Sequence, residues 1–312
     1  MPRPCRVGVL LPEVERPVDW PELFAMARTA EAAGFDSLWV GDHLLLDTPE
    51  GVRGPWEAWT SLAALAAVTE RIQLGPLVAS TNFHAPAVLA KQAATVDAVS
   101  GGRLILGLGA GWNEREFRAF GLPYDHRVSR FEEAFTIIRS LLRQGHVDFD
   151  GVYYRVADCT LDLTPLRPGG PPLMLGSIGP RMMRIALPYV DAWNVWWTYY
   201  GNTPQGFAAV RERVEEAAIQ AGRKPGEVDA TAAVLVQLPG GTGRPLLDPE
   251  AKPVTLVSGS AADIAGHIDA MARARAAHVQ LVVDPITVSS IEVLADVLVA
   301  LDRNTGGATP RR

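Results

Sequence analysis

Gly34-Phe35-Asp36-Ser37-Leu38-Trp39-Val40-Gly41-Asp42-His43 is the stretch that decides the fold. The glycine stops a helical pattern, the apolar run over residues 35–40 reads as a strand, and the run ends in polar Asp42 and His43. Upstream, residues 19–33 have helical spacing, with Asp19 as N-cap, Pro21 in the first turn and Glu22 three residues after the cap. The alternation then continues. Strand runs are read at 6–11, 35–40, 72–78, 103–108, 172–175, 192–196, 228–238 and 279–283. Helical segments fall at 19–33, 58–69, 86–99, 129–143, from Pro180, at 205–221, 260–275 and 289–301. Ser129 with Glu132, and Ser260 with Asp263, read as helix caps. Strands alternating with helices pair in parallel through right-handed crossovers. Eight units point to an α/β fold of the (β/α)8 TIM-barrel type with insertions at 42–57, 147–170 and 240–259. The insertion at 147–170 reads as a hairpin around Asp150-Gly151. A doubly wound sheet is the alternative, but no G-x-G-x-x-G follows the first strand, where Gly8 stands alone.

Composition narrows the function. The 312 residues are 48% hydrophobic and 21% charged, which excludes a disordered chain, and the net charge of −6 argues against nucleic acid as a partner. Two cysteines, Cys5 and Cys159, allow no zinc or iron–sulfur spacing and imply no disulfide framework. The longest apolar segment, residues 58–68, falls short of the roughly 18 that a membrane helix needs. The expectation is a soluble, cytoplasmic barrel domain over residues 1–303 with a flexible tail at 304–312.

Barrel enzymes place their sites at the C-terminal strand ends. Asp42 and His43 follow the second strand there, and an imidazole can give and take protons near neutral pH. Gly176-Ser177-Ile178-Gly179 before Pro180 opens onto a helix N-terminus, which suits an anion, or is a plain turn. The glycines at 107–111 admit a ligand close to the backbone, or only make a tight loop. Six of eight tryptophans (56, 59, 112, 193, 196, 197) fall near the barrel mouth and suit a flat conjugated ligand, about half of them touching it or solvent. No histidine pair has metal spacing. His84 and His126 lie on the mouth side, and His146, His267 and His278 away from it. No strand ends in lysine, which speaks against an aldolase.

These blocks, with Thr69-Glu70-Arg71-Ile72-Gln73-Leu74-Gly75, residues 86–95, residues 100–113 and Asp191-Ala192-Trp193-Asn194, resemble the bacterial luciferase-like flavin and deazaflavin oxidoreductases, and within them the coenzyme F420-dependent branch. The resemblance covers most of the chain and weakens after about Val228. It implies a hydride transfer between the deazaflavin ring and a small organic substrate, with His43 handling the proton and Asp42 at the ring's polar edge. Pro76, Leu77 and Val78 would back the ring through a bulge that in such proteins often holds a non-proline cis bond. Ala110, Gly111 and Asn113 would lie along the cofactor, and Gly176, Ser177, Ile178 and Gly179 would take its phosphate. Trp112 stands where sugar-phosphate dehydrogenases of the family carry a glutamate, which disfavours a two-residue acid–base scheme. Trp112, Trp196 and Trp197 would then shape an apolar substrate pocket. Arg115, Arg118, Arg127, Arg130 and Arg181 would attract the anionic tail. The alternatives are an FMN-dependent monooxygenase of the same fold and a non-catalytic flavin-binding protein. The resemblance also implies a homodimer.

Overall fold

The strands β1 (Arg6–Leu10), β2 (Ser37–Val40), β3 (Gln73–Pro76), β4 (Leu106–Gly109), β5 (Leu173–Leu175), β6 (Ala192–Val195), β7 (Asp229–Gln237) and β8 (His278–Asp284) pair in parallel, in the order β3-β2-β1-β8-β7-β6-β5-β4. The computed structural model describes residues 3–48, 51–241 and 254–305. The third strand resumes after Leu77 and Val78 as Ala79–Ser80, which pairs with Leu108 and Gly109, while Leu74 bridges to Leu104. These contacts join the two ends of the sheet, so the fold is a TIM barrel rather than an open doubly wound sheet. Because both faces of a barrel strand are covered, the strands read as apolar runs: Val7, Val9, Leu38, Leu106, Leu108, Val234 and Leu281 are each at most 1% exposed.

The outer helices are α1 (Trp20–Ala33), α2 (Ala58–Val68), α3 (Pro86–Val99), α4 (Arg127–Gln144), α5 (Pro180–Ala186), α6 (Pro204–Gln220), α7 (Ala261–Arg273) and α8 (Val288–Thr305). Local signals set several ends. The Asp19 side chain accepts the Glu22 amide at 2.9 Å, Gly34 closes α1 at φ 88°, and Ser260 and Asp263 form a full capping box. The cap expected from Ser129 and Glu132 does not form. α4 starts at Arg127, behind His126 in a left-handed conformation. Ser129 and Glu132 instead accept the Arg181 guanidinium from α5, at 2.9 and 3.0 Å, a charged donor that outcompetes a backbone amide.

Two insertions are hairpins, Leu46–Thr48 with Gly51–Arg53, and His146–Asp150 with Arg155–Thr160. The third falls mostly outside the described residues. α8 runs two residues into the segment expected as a tail, and residues 306–312 lie outside the described ones. The N-terminal end of the barrel is plugged: the Trp39 indole donates to Ser37 Oγ at 2.7 Å, and that oxygen lies 2.8 Å from His278 Nε2. The large cavity lies toward the C-terminal strand ends.

Candidate active site

A cavity of about 1360 Å³ occupies that end of the barrel. It exceeds the roughly 300–1,000 Å³ of ordinary ligand pockets. His43, Leu77, Val78, Ala110, Gly111, Trp112, Trp196, Trp197 and the loop Gly176–Gly179 all line it, together with Asp42. Two candidates do not. Pro76 is a buried strand residue, and Asn113 caps the short helix Glu114–Ala119 through the Arg115 amide while its Nδ2 donates to Leu45 O at 3.3 Å.

His43 is not alone. Its Nδ1 lies 3.1 Å from both carboxylate oxygens of Glu116, which is 1% exposed on that short helix. Glu116 Oε1 also accepts the amides of Leu44 at 2.6 Å and Leu45 at 3.2 Å. Glu13 lies close by; a Cβ on Gly41 would overlap its carboxylate. Burial alone would weaken the ring's hold on a second proton. The Glu116 hydrogen bond and the charges of Glu13, Glu116 and Asp42 outweigh it, and the His43 pKa stands above its ordinary value. Trp112, 52% exposed, meets the His43 ring edge-on at 5.8 Å. The sequence shows His43 without its partner; 73 residues separate it from Glu116, and no local motif joins them.

Asp42 is largely committed to the protein. Its Oδ2 accepts the Ser80 amide at 2.8 Å and lies 3.1 Å from His84 Nε2. This clamp holds the segment after β3, where the Leu77–Val78 peptide is cis. The Val78 side chain fills the space that Cβ atoms on Gly107, Gly109 and Gly176 would need, at 2.7, 2.9 and 2.4 Å. Those glycines therefore make room for Val78. Gly109 and Gly176 also line the cavity.

Gly176 cannot give its amide to a ligand, because it donates to Leu108 O at 2.9 Å. The Gly179 amide donates to Ser177 Oγ at 3.2 Å. The amides of Ser177 and Ile178 have no partner among the described residues. Of the arginines expected at the mouth, Arg127 lines the cavity and donates to Gly111 O at 2.7 Å. Arg115, Arg130 and Arg181 pair with Asp47, Asp125 and Glu132 instead. Arg16, Arg53 and Arg213 line the cavity unannounced by any motif. Trp56, Trp112 and Trp196 reach solvent or the cavity, whereas Trp59 and Trp193 are core, and Trp197 is 2% exposed at the cavity edge. His126 is exposed outside the lining. No group of three His, Cys, Asp or Glu able to hold a metal occurs among the described residues. No described helix is long and apolar enough to cross a membrane.

A closed parallel barrel with a deep, polar-and-aromatic cavity at its strand ends defines a class of barrel built around a large ligand. Within that class, residues 6–238 match the luciferase-like monooxygenases, and the chain belongs to that family. It is 32% identical over 229 residues to a phthiodiolone/phenolphthiodiolone dimycocerosates ketoreductase of Mycobacterium tuberculosis, covering 66% of this chain and 59% of that one. It is 35% identical over 170 residues to an F420-dependent glucose-6-phosphate dehydrogenase of Amycolatopsis mediterranei, covering 53% of this chain and 50% of that one. The chain thus spans less than two thirds of these relatives' length. The solved structure of an F420-dependent secondary alcohol dehydrogenase, with an F420–acetone adduct, superposes with a TM-score of 0.79 at 21% identity, over 95% of this chain and 99% of that one.

Proposed function

We propose that the chain is a coenzyme F420-dependent oxidoreductase acting on a small organic substrate. The observation that carries the reading is one cavity lined by the touching rings of His43 and Trp112, by Val78, and by Ser177 and Ile178, whose amides have no partner among the described residues. Relatives named as F420-dependent, and one named as a ketoreductase, support it.

The residues present fit the cofactor. Ser80 and Trp197 line the cavity, and Ser80 Oγ and Trp197 Nε1 are buried without a hydrogen-bond partner among the described residues, a costly state that a polar ligand relieves. Ala110, Gly111, Leu77 and Val78 would flank the ring, and Ser177, Ile178 and Arg213 would face its anionic part. When bound, the deazaflavin supplies or takes up a hydride. His43 gives or accepts the proton at Nε2, and Trp112 keeps the substrate side apolar.

Titrating the protein with F420 and with FMN decides the cofactor. FMN is the second reading, because the family match is to luciferase-like monooxygenases. His43→Ala should keep cofactor affinity and lower turnover by about 10²-fold or more. Unchanged turnover would remove His43 from the chemistry and favour a non-catalytic binder. Cys5 and Cys159 are both free thiols, which suits a reducing cytoplasm. Light scattering tests the homodimer.

A further inference from the structure

We propose that Glu116 is the positioning residue that makes His43 a proton donor, by holding Nδ1 and leaving Nε2 to the substrate. The donor role rests on the proposed function; the positioning stands on geometry.

An amide N–H can only donate. Oε1 of Glu116 receives two of them, from Leu44 and Leu45, so that oxygen is an acceptor and the ring supplies Nδ1–H. The tautomer follows: Nε2 is the nitrogen left for chemistry. The same carboxylate fixes the ring's rotation, because both of its oxygens lie 3.1 Å from Nδ1. It also pins the start of the loop that carries the Leu46–Thr48 hairpin strand.

The charged groups around His43 come from three elements and share one sign. Glu13 follows β1, Asp42 follows β2, and Glu116 lies on the helix after β4. Asp42 Oδ2 is taken by Ser80 and His84, and among the hydrogen bonds described it is Glu116 that bonds the ring directly. Each of the three favours imidazolium. Charges that favour the imidazolium suit proton donation, and so reduction, better than proton abstraction. In reduction of a ketone the carbonyl carbon would gain a hydride from the reduced deazaflavin, which would be oxidised in turn, the C=O π bond would open, and the oxygen would take the proton from Nε2. That leaves a neutral ring with Nδ1–H still on Glu116, which solvent then reprotonates.

The test is ¹H–¹⁵N NMR on the cofactor-free protein, with His43 assigned by its absence in His43→Gln. The expected result is an Nδ1–H tautomer at high pH, a titration midpoint that falls in Glu116→Gln, and a return toward native in Glu116→Asp. On the enzyme loaded with reduced F420, using the ketone turned over fastest in a panel of simple ketones, Glu116→Gln should lower kcat about ten- to a hundredfold at neutral pH. The high-pH loss of activity should move to lower pH, with cofactor affinity unchanged. An Nε2–H tautomer, or a midpoint that stays put in Glu116→Gln, overturns the positioning role. A midpoint that moves while the activity limb stays fixed overturns the donor role. Failure to bind F420 would strike the proposed function, while the tautomer and midpoint measured by NMR would still decide the positioning role.

Discussion

Gly176→Ala should cost far more than its one added methyl suggests. A Cβ at Gly176 would sit 2.4 and 2.7 Å from the two γ-carbons of Val78 and 3.0 Å from its Cβ, well inside the 3.5–4.0 Å of a favourable carbon contact. Its backbone cannot retreat easily, because the Gly176 amide is bonded to Leu108 O at 2.9 Å. Nor can Val78, which is wedged against Gly107 and Gly109 as well. The expected loss is at the upper end of overpacking costs, about 3 kcal/mol, or a fall in Tm of about 5–10 °C. Gly179→Ala is the control. Its φ of −70° suits any residue, and the new Cβ would meet only Ser177 Oγ, at 3.5 Å, so Tm should move by about 1–2 °C. Thermal melting by circular dichroism reads both. The double variant Gly176→Ala with Val78→Ala should recover part of the loss, giving a coupling of about 1 kcal/mol or more. If Gly176→Ala melts with Gly179→Ala, the glycines are not there for Val78.

Acid should destabilise the protein through His278. Burial lowers its pKa from 6.5 to about 3, so between those values the unfolded chain binds the extra proton and stability falls with pH, by about 1.4 kcal/mol per pH unit from this group. Urea midpoints between pH 6 and 4 should show that slope, and His278→Gln should flatten it; an equal slope in the variant refutes the assignment. His43 has the opposite sign. With its folded pKa raised, its contribution is complete at low pH and lost as pH rises through the folded value. Trp112→Ala should leave Tm nearly unchanged, because the side chain is half exposed, and raise KM for an apolar substrate about tenfold; an unchanged KM would move the substrate pocket elsewhere.

The parts of this molecule legible in its sequence are those in which cause and effect lie within a few residues. Asp19 caps α1 because its oxygen reaches an amide three residues on, and Gly34 ends it because left-handed backbone suits glycine. Eight such units in succession leave little choice of fold. Legibility fails where one side chain answers to another far along the chain. Ser129 and Glu132 have the right types at the right spacing for a cap, yet Arg181, about fifty residues on, is the better donor. Gly107, Gly109 and Gly176 looked like a ligand's doorway or a turn, and Val78, with the Pro76 carbonyl at Gly107, takes up the space a Cβ would need at each. The same limit hid the chemistry. His43 was visible because it directly follows a strand end. Glu116 was not, since a glutamate inside a short helix carries no mark of its purpose until the barrel closes and brings β4 round to β2. The surroundings of His43 are thus set by ring neighbours, and a reading along the chain finds the histidine before it can find the carboxylate bonded to it.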